Sequence, residues 1–153
     1  MEYSVLNLDS IQNVVEQLGL QFDRYDDHNM MMVHRPQEPE RALRIMATPD
    51  NSMVSMAIVA QFKVPRNRVV EVSCAIAIAN GLIDIGAWCF NYGESEVYYR
   101  LTVPSRDNSW NEASIRTLME IVLGYSNLYF TKLEAIALAD ASFESILEAH
   151  SGA

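Results

Sequence analysis

The chain has 153 residues, half of them apolar and a fifth charged, which is the balance of a folded protein rather than a disordered one. Its net charge of −9 repels phosphate backbones and anionic lipid headgroups, so we expect neither nucleic acid nor a membrane surface as a partner. A protein partner with a basic patch is compatible with that charge.

The length fits one domain, and we expect a single domain over residues 1–153 with an ordered core at about residues 8–148. The two cysteines, Cys74 and Cys89, are too few for a disulfide framework, which favours a reducing compartment. The first residues lack the basic and apolar regions of a signal peptide. No window reaches the roughly 20 apolar residues that cross a bilayer. We therefore expect a cytoplasmic protein.

A helix is predicted near the N-terminus. Asp9 suits its N-cap, with Gln12 three residues later as in a capping box, and Gly19 suits a left-handed end. Three strands follow in the prediction, over residues 30–34, 42–48 and 53–62, with a tight turn at residues 49–52. The third is almost continuously apolar, which predicts a central strand covered on both faces.

Residues 69–79 fit two structures. Their apolar residues alternate as in a strand, and Asn80-Gly81 is a hairpin signal. Against this, Pro65 suits the first position of a helix, three alanines favour helix, and Asn-Gly also ends helices. The local pattern leaves the two interpretations open.

The C-terminal half is clearer. Residues 82–90 and 96–103 are strand-like and flank a turn, which predicts a β-hairpin. A capping box of Ser109 and Glu112 then begins a long helix. After Asp140, a second apolar set predicts a short terminal helix or a continuation of the long one.

Five residues around this hairpin resemble the YbjN family of bacterial sensory-transduction regulators. That family has a helix ending near Asn, then five residues, Gly, one residue and an aromatic, then a strand with a tyrosine-arginine pair. The matching residues are Asn80, Gly86, Trp88, Tyr99 and Arg100. A further Asn common in the family would fall at Ala77, where this chain departs from the pattern.

The resemblance implies an α+β fold like that of type III secretion chaperones, in which helices pack on one antiparallel β-sheet. The implied order is α-β-β-β-α-β-β-α, which makes residues 65–80 a helix. It also implies a non-enzymatic protein, often a dimer, that binds other proteins.

Two groups of metal-binding residue types occur early in the chain. Met30-Met31-Met32 with His28 and His34 offers soft ligands for Cu(I), but consecutive strand residues point to opposite faces, so we expect strand packing instead. Three aspartates, at residues 23, 26 and 27, lack the glycine and final glutamate of a calcium loop and are expected to form a solvated turn.

Catalytic patterns are also missing. Asp84 is the one acid in an apolar segment, and we expect it to form a structural ion pair with Arg100 on the outer face of the sheet. Ser73 and Ser105 have no histidine partner nearby and no nucleophile elbow. The glycines make no phosphate-binding fingerprint. The sequence therefore predicts no catalytic residues, no cofactor and no metal site.

The candidate interaction surface consists of Trp88, Phe90, Tyr98 and Arg100. In a strand, Trp88 and Phe90 share one face, and Tyr98 and Arg100 likewise share one face of theirs. If those faces meet in the open, they form an aromatic-arginine patch of the kind enriched at interfaces. In the alternative, Trp88 and Phe90 belong to the core and Tyr98 lies at its rim.

We therefore expect a chaperone-like or regulatory protein-binding module that forms a homodimer through the helix at residues 65–80 or the strand at residues 96–103. The alternative is a small-molecule sensor or enzyme with a pocket between sheet and helices, holding Asp84 or His34. A structural subunit of a larger complex is a third possibility.

Overall fold

The structure is a computed structural model that describes residues 6–38, 41–48, 52–105 and 110–151, with the backbone alone for 149–151. The helices are α1 (Leu8–Gln17), α2 (Val69–Leu82), α3 (Glu112–Leu138) and α4 (Ser145–Ser151). The strands are β1 (Gln21–Tyr25), β2 (Met30–His34), β3 (Leu43–Thr48), β4 (Met53–Lys63), β5 (Ala87–Asn91) and β6 (Glu96–Pro104).

The strands form one six-stranded sheet in the order β1-β2-β3-β4-β6-β5. The pairs β1–β2, β2–β3, β3–β4 and β5–β6 are antiparallel. This confirms the predicted α+β class and element order. The structure adds β1, which lies in the stretch interpreted only as an acidic turn; of the three aspartates, Asp23 is in the strand and the other two are in a 3₁₀ turn.

The chain divides into two compact units. The first comprises residues 1–58 and 101–122, and α1 there packs on β1, β2 and β3. Its buried core includes Ile11, Val15, Met31, Ile45, Met56, Ile58 and Ile115.

The second unit comprises residues 59–100 and 123–153, and in it α2 contacts β5 and α4. Its buried core includes Val72, Ala75, Trp88, Val97, Tyr99, Tyr129, Phe130 and Leu133. The expected single domain over residues 1–153 remains a prediction.

The N-caps of α1 and α3 both lie at other residues than predicted. The N-cap of α1 is Asn7, whose Oδ1 accepts from the Ser10 backbone N–H at 2.8 Å while Ser10 Oγ accepts from the Asn7 N–H at 3.0 Å. Starting two residues earlier than predicted buries Leu8 and places Asp9 inside the helix. Gly19 does take the predicted left-handed conformation, with φ of +67°.

The start of α3 repeats this arrangement. Asn111 Oδ1 accepts from the Ser114 N–H at 3.0 Å, and Ser114 Oγ accepts from the Asn111 N–H at 2.9 Å. Ser109, the predicted cap, lies outside the described residues. Trp110 precedes the helix, held by its indole N–H, which donates to the Pro104 carbonyl at 2.9 Å.

Residues 69–79 are helical, as the family resemblance implied. A 3₁₀ turn, Arg66–Arg68, follows Pro65, and α2 then runs through Asn80 and Gly81 to Leu82. β5 consequently begins at Ala87, five residues later than predicted, because residues 82–85 form the end of α2 and the bend that follows it. Gly86, with φ of +73°, makes the left-handed step that had been expected at Gly81.

The prediction that β4 is covered on both faces is wrong. Its residues alternate, with Val54, Met56, Ile58, Ala60 and Phe62 buried and the residues between them half-buried or exposed. Small side chains on the open face, such as Ala57, make the sequence look continuously apolar. One face of β4 is therefore buried, and the other is half-buried or exposed.

Candidate interaction surfaces

The register of the β5–β6 hairpin separates the four residues of the predicted patch. Trp88 is opposite Tyr99 and Phe90 opposite Val97, on the face that is buried. Tyr98 is opposite Cys89 and Arg100 opposite Ala87, on the other face. Because directly opposite residues share a face, the structure does not bring the two halves of the patch together. Whether any of the four contacts a partner remains a prediction.

Trp88 lies at the centre of an aromatic cluster in the second unit. Its side chain is 2% exposed, and its ring centroid lies 5.0 Å from that of Phe130, 5.5 Å from Tyr99 and 6.1 Å from Tyr129. All three contacts are edge-to-face, the geometry that aromatic quadrupoles favour. The buried indole N–H has no hydrogen-bond partner and is surrounded by these rings. Trp88 is thus a packing residue.

Tyr99 links the aromatic cluster to the bend before β5. Its hydroxyl donates to the Ile85 carbonyl at 2.5 Å, and a Cβ at Gly86 would lie 2.6 Å from Tyr99 Cζ and 2.9 Å from the Arg100 carbonyl oxygen. Glycine is therefore required at residue 86 both for its positive φ and for this close approach. Burial, and then the neighbouring Tyr125, raise the pKa of Tyr99 to about 12.

Asn80 joins α2 to β5 through its side-chain amide. Its Oδ1 accepts from the Trp88 N–H at 2.7 Å, and its Nδ2 donates to the Trp88 carbonyl at 3.0 Å. Four of the five residues that carry the family resemblance, Asn80, Gly86, Trp88 and Tyr99, therefore form one connected structural cluster. Their shared pattern encodes the join between helix and hairpin rather than a reactive centre.

Arg100, the fifth residue, is exposed on the opposite face of β6. Asp84 lies in the bend after α2, and within the described part of the chain no ion pair joins it to Arg100, so the predicted pair is wrong. The cause is the late start of β5, which leaves Asp84 in the bend before the strand. Beside Arg100, burial and then Cys89 raise the pKa of Tyr98, which is half-buried.

The residues weighed as metal ligands are divided between surfaces. Met31 is buried, whereas Met30 and Met32 lie on the open face of β2. His34 Nε2 lies 2.7 Å from Asp23 Oδ2, and the pair borders a shallow surface depression next to Leu20 and Phe22. Among the residues that the structure describes, no group of three or more His, Cys, Asp or Glu side chains is placed to hold a metal ion.

The open sheet face of the first unit carries a group of large apolar side chains that the sequence analysis missed, with Asp23 and Arg44 on either side of Met32. We call it the methionine face; it consists of Tyr25, Met30, Met32, Met46 and Met53. The register sets Met30 between Tyr25 and Met46 on neighbouring strands. Tyr25 is 43% and Met46 41% exposed. The alternation of methionine with buried residues in β2 and β3 was the available signal.

The exposed side of α2 forms a second apolar surface, in the other unit. We call it the α2 stripe; it consists of Val70, Cys74, Ala77 and Gly81, at spacings of four, three and four residues. Val70 is 72% exposed, and Ala77 and Gly81 are exposed as well. Such spacing places these residues along one side of a helix, where small side chains allow a neighbouring backbone to approach closely.

No protein-family model matches the sequence, and no curated protein matches it either. Solved structures do match its fold. E. coli YbjN, described as a candidate transcription regulator, aligns with a TM-score of 0.70 at 11% identity over 87% of this chain and 93% of that one.

Chains from two solved protein complexes align as well. A chain of the HopA1–SchA chaperone–effector complex gives a TM-score of 0.58 at 12% identity, over 78% of this chain and 88% of that one. A chain of the ExsC–ExsE complex gives 0.60 at 7% identity, over 84% and 97%. This chain therefore has a type III secretion chaperone-like fold. The YbjN resemblance is confirmed at the level of that fold.

No helix in the described parts of the chain is both long enough and apolar enough to cross a membrane.

Proposed function

We propose that the chain is a non-enzymatic, chaperone-like or regulatory protein-binding module. The observation that carries the proposal is the methionine face, where five large apolar side chains stand on strands covered by helices on one side alone. Methionine is flexible and polarizable, and it is common on surfaces that accept more than one partner. The chaperone–effector complex among the structural neighbours supports the same class of function.

We further propose that two copies associate through the α2 stripe. Of the two elements expected to form a dimer, β6 lies between β4 and β5 in the sheet, so both its edges are already paired. The α2 stripe is uncharged and exposed, and packing it against itself across a two-fold axis would cover Val70. The free state of both cysteines fits the proposed cytoplasmic location.

The alternative, a small-molecule sensor, has less support. It required His34 or Asp84 inside a pocket of convergent polar groups. Asp84 is exposed, and His34 borders a depression that opens widely to solvent, where its nearest polar group is the carboxylate already paired with it.

Co-purification tests the binding proposal. We expect native extract to yield a protein retained by the wild-type chain and lost from a Met30→Asp/Met46→Asp variant, because two carboxylates would make the methionine face costly to desolvate. Tyr92→Ser is the matched control, since Tyr92 is 72% exposed and belongs to the β5–β6 turn of the other unit. Retention of the same proteins by both variants would contradict the assignment of this surface.

Sedimentation tests the dimer. We expect the wild-type chain to be dimeric at tens of micromolar and Ala77→Glu to be monomeric, because two like charges would then face each other across the two-fold axis. Asn13→Glu, on the exposed side of α1, is the charge-matched control and should remain dimeric. A wild-type monomer at that concentration would contradict the proposed dimer. It would not bear on the proposal that the methionine face binds a partner.

A further inference from the structure

Two charged side chains lie among the methionines on the open sheet face, and they differ in whether they have a partner. Asp23 and Arg44 lie directly across from Met32, on β1 and β3. The Asp23 carboxylate is already paired, since its Oδ2 lies 2.7 Å from His34 Nε2. The Arg44 side chain is exposed, and its guanidinium makes no ion pair or hydrogen bond with any residue that the structure describes.

This lack of a partner distinguishes Arg44 within its unit. Each of the other arginines described there has a nitrogen within 3.9 Å of a carboxylate oxygen; they are Arg24, Arg35, Arg41 and Arg116. A shortage of carboxylates does not explain the difference, because the chain has 20 acidic residues against 11 lysines and arginines. The position of Arg44 on the sheet therefore leaves it unpaired.

The surroundings of Arg44 are apolar. Met32 lies on one side of it and Ala57 on the other, and Met46 follows two residues later on the same face of β3. A partner that covers these side chains also removes water from the guanidinium. Because a cation that loses its water without gaining an anion is costly, an occupant of the methionine face must bring a negative group to Arg44.

A carboxylate fits this position better than a phosphate. The planar guanidinium matches the two oxygens of a carboxylate in a bidentate pair. The side chains of Met32, Met46 and Ala57 have no N–H or O–H groups, so the further oxygens and second charge of a phosphate would have no donors among them. The net charge of −9 also repels polyanions.

We propose that the occupant of the methionine face is a protein segment in which an Asp or Glu side chain, flanked by large apolar residues, pairs with Arg44. Met32 lies about 5 Å from Arg44 across the sheet and Met46 about 7 Å along the strand, so apolar contacts adjoin the acid in two directions. A segment that makes both contacts continues past its acid, which assigns the acid to a side chain rather than a chain terminus. This inference rests on the proposed function and adds the chemistry of the partner.

Selection from a library of random peptides displayed on phage tests the inference. Peptides that bind the wild-type chain are sorted by whether Met30→Ser/Met46→Ser abolishes their binding; this variant is neutral, so the sorting does not itself favour acidic peptides. We expect the methionine-dependent peptides to be enriched in Asp and Glu beside large apolar residues. Synthetic copies should bind Arg44→Gln about tenfold more weakly than the wild-type chain, the effect of losing one charge-assisted hydrogen bond.

Two further variants make the result specific to this contact. Arg44→Glu should bind the acidic peptides least, and should bind again those in which lysine replaces the acid, because the two charges are then exchanged. Arg66→Gln is the charge-matched control, since Arg66 is exposed in the other unit and its loss changes the net charge by the same amount. Its affinity should equal that of the wild-type chain.

Each contrary outcome overturns a defined part of the argument. Methionine-dependent peptides without an excess of acids, or with a loss in Arg44→Gln no larger than in Arg66→Gln, would overturn the inference and leave the proposed function standing. Failure to obtain any methionine-dependent peptide would overturn both. Weaker self-association of Met30→Ser/Met46→Ser in sedimentation would make the occupant a second copy of the chain, which also overturns the inference.

Discussion

At the scale of single residues, Tyr99 connects the buried side of the hairpin to the residues packed around it. Its ring meets Trp88 edge-to-face and stacks on Tyr125 at 5.9 Å, and its hydroxyl holds the bend at Ile85. Burying a phenol with a satisfied hydroxyl stabilises the neutral form and penalises the phenolate. We therefore expect the free energy of unfolding of this unit to decrease at alkaline pH.

We expect stability to fall as pH rises from 10 towards about 12, the unfolded and folded pKa values of Tyr99. Above the lower value the unfolded chain releases a proton that the folded chain keeps, so the free energy of the unfolded state falls relative to that of the folded state. Tyr99→Phe should cost about 1 kcal/mol near neutral pH, from the lost hydrogen bond, and should lose less stability across that window. Urea unfolding at a series of pH values measures both effects.

The control for that series is Tyr92→Phe, because Tyr92 is largely exposed and the mutation leaves no buried group unpaired. Its pH profile should follow that of the wild-type chain. A Tyr99→Phe profile as steep as that of the wild-type chain would assign the alkaline loss to other groups, of which Tyr98 and Tyr129 also have raised pKa values.

At the scale of elements, Arg68 joins the start of α2 to the end of α3. Its Nε donates to the Ile136 carbonyl at 2.9 Å and its Nη2 to the Ala141 carbonyl at 3.0 Å. Glu71 and Asp140 each lie 3.6 Å from its Nη1, and its side chain is 15% exposed. The Ile136 carbonyl belongs to the last turn of α3, where carbonyls lack partners within the helix, and the Ala141 carbonyl lies just beyond that helix, so one guanidinium satisfies both.

We expect Arg68→Lys to destabilise the chain by about 2 kcal/mol, because an ammonium keeps the charge but lacks the planar fork that bridges both carbonyls. Chemical denaturation measures the change. Arg66→Lys, two residues earlier and exposed, is the matched control and should change stability by no more than about 0.5 kcal/mol. Equal effects of the two substitutions would show that the bridge contributes nothing beyond charge.

The sequence predicted the elements better than their ends. The hydrophobic pattern identified β2, β3, β4, β6 and the long helix, because burial on one face imposes a period on the residues. It could not decide residues 69–79, since α2 is apolar on most sides and an apolar helix has no contrasting polar face to reveal its period. The family resemblance was needed there.

The surfaces were harder to predict for a related reason. Which strand faces are covered depends on pairing register, and a shift of one residue exchanges the two faces. The sequence correctly grouped Trp88 with Phe90 and Tyr98 with Arg100, but register alone showed that these groups lie on opposite faces. The methionine face was missed because its members come from four strands and meet only through pairing.

At the scale of the whole molecule, the expected single domain can be tested through the two tryptophans. Trp110 belongs to the first unit and Trp88 to the second. β4, β6 and α3 each contribute residues to both units, so we expect both to unfold together. In Trp88→Phe and in Trp110→Phe, the urea midpoint of the remaining tryptophan should coincide with that of the helical circular dichroism. Separate midpoints in either variant would show that the two units unfold independently and would contradict the single domain.

Each unit is assembled from two stretches of chain that are far apart in sequence, residues 1–58 with 101–122 and residues 59–100 with 123–153. A gene truncated or fused at any single point therefore interrupts at least one of them. Recombination cannot shuffle either unit into another protein as a cassette, and the chain should be inherited, duplicated or lost as a whole.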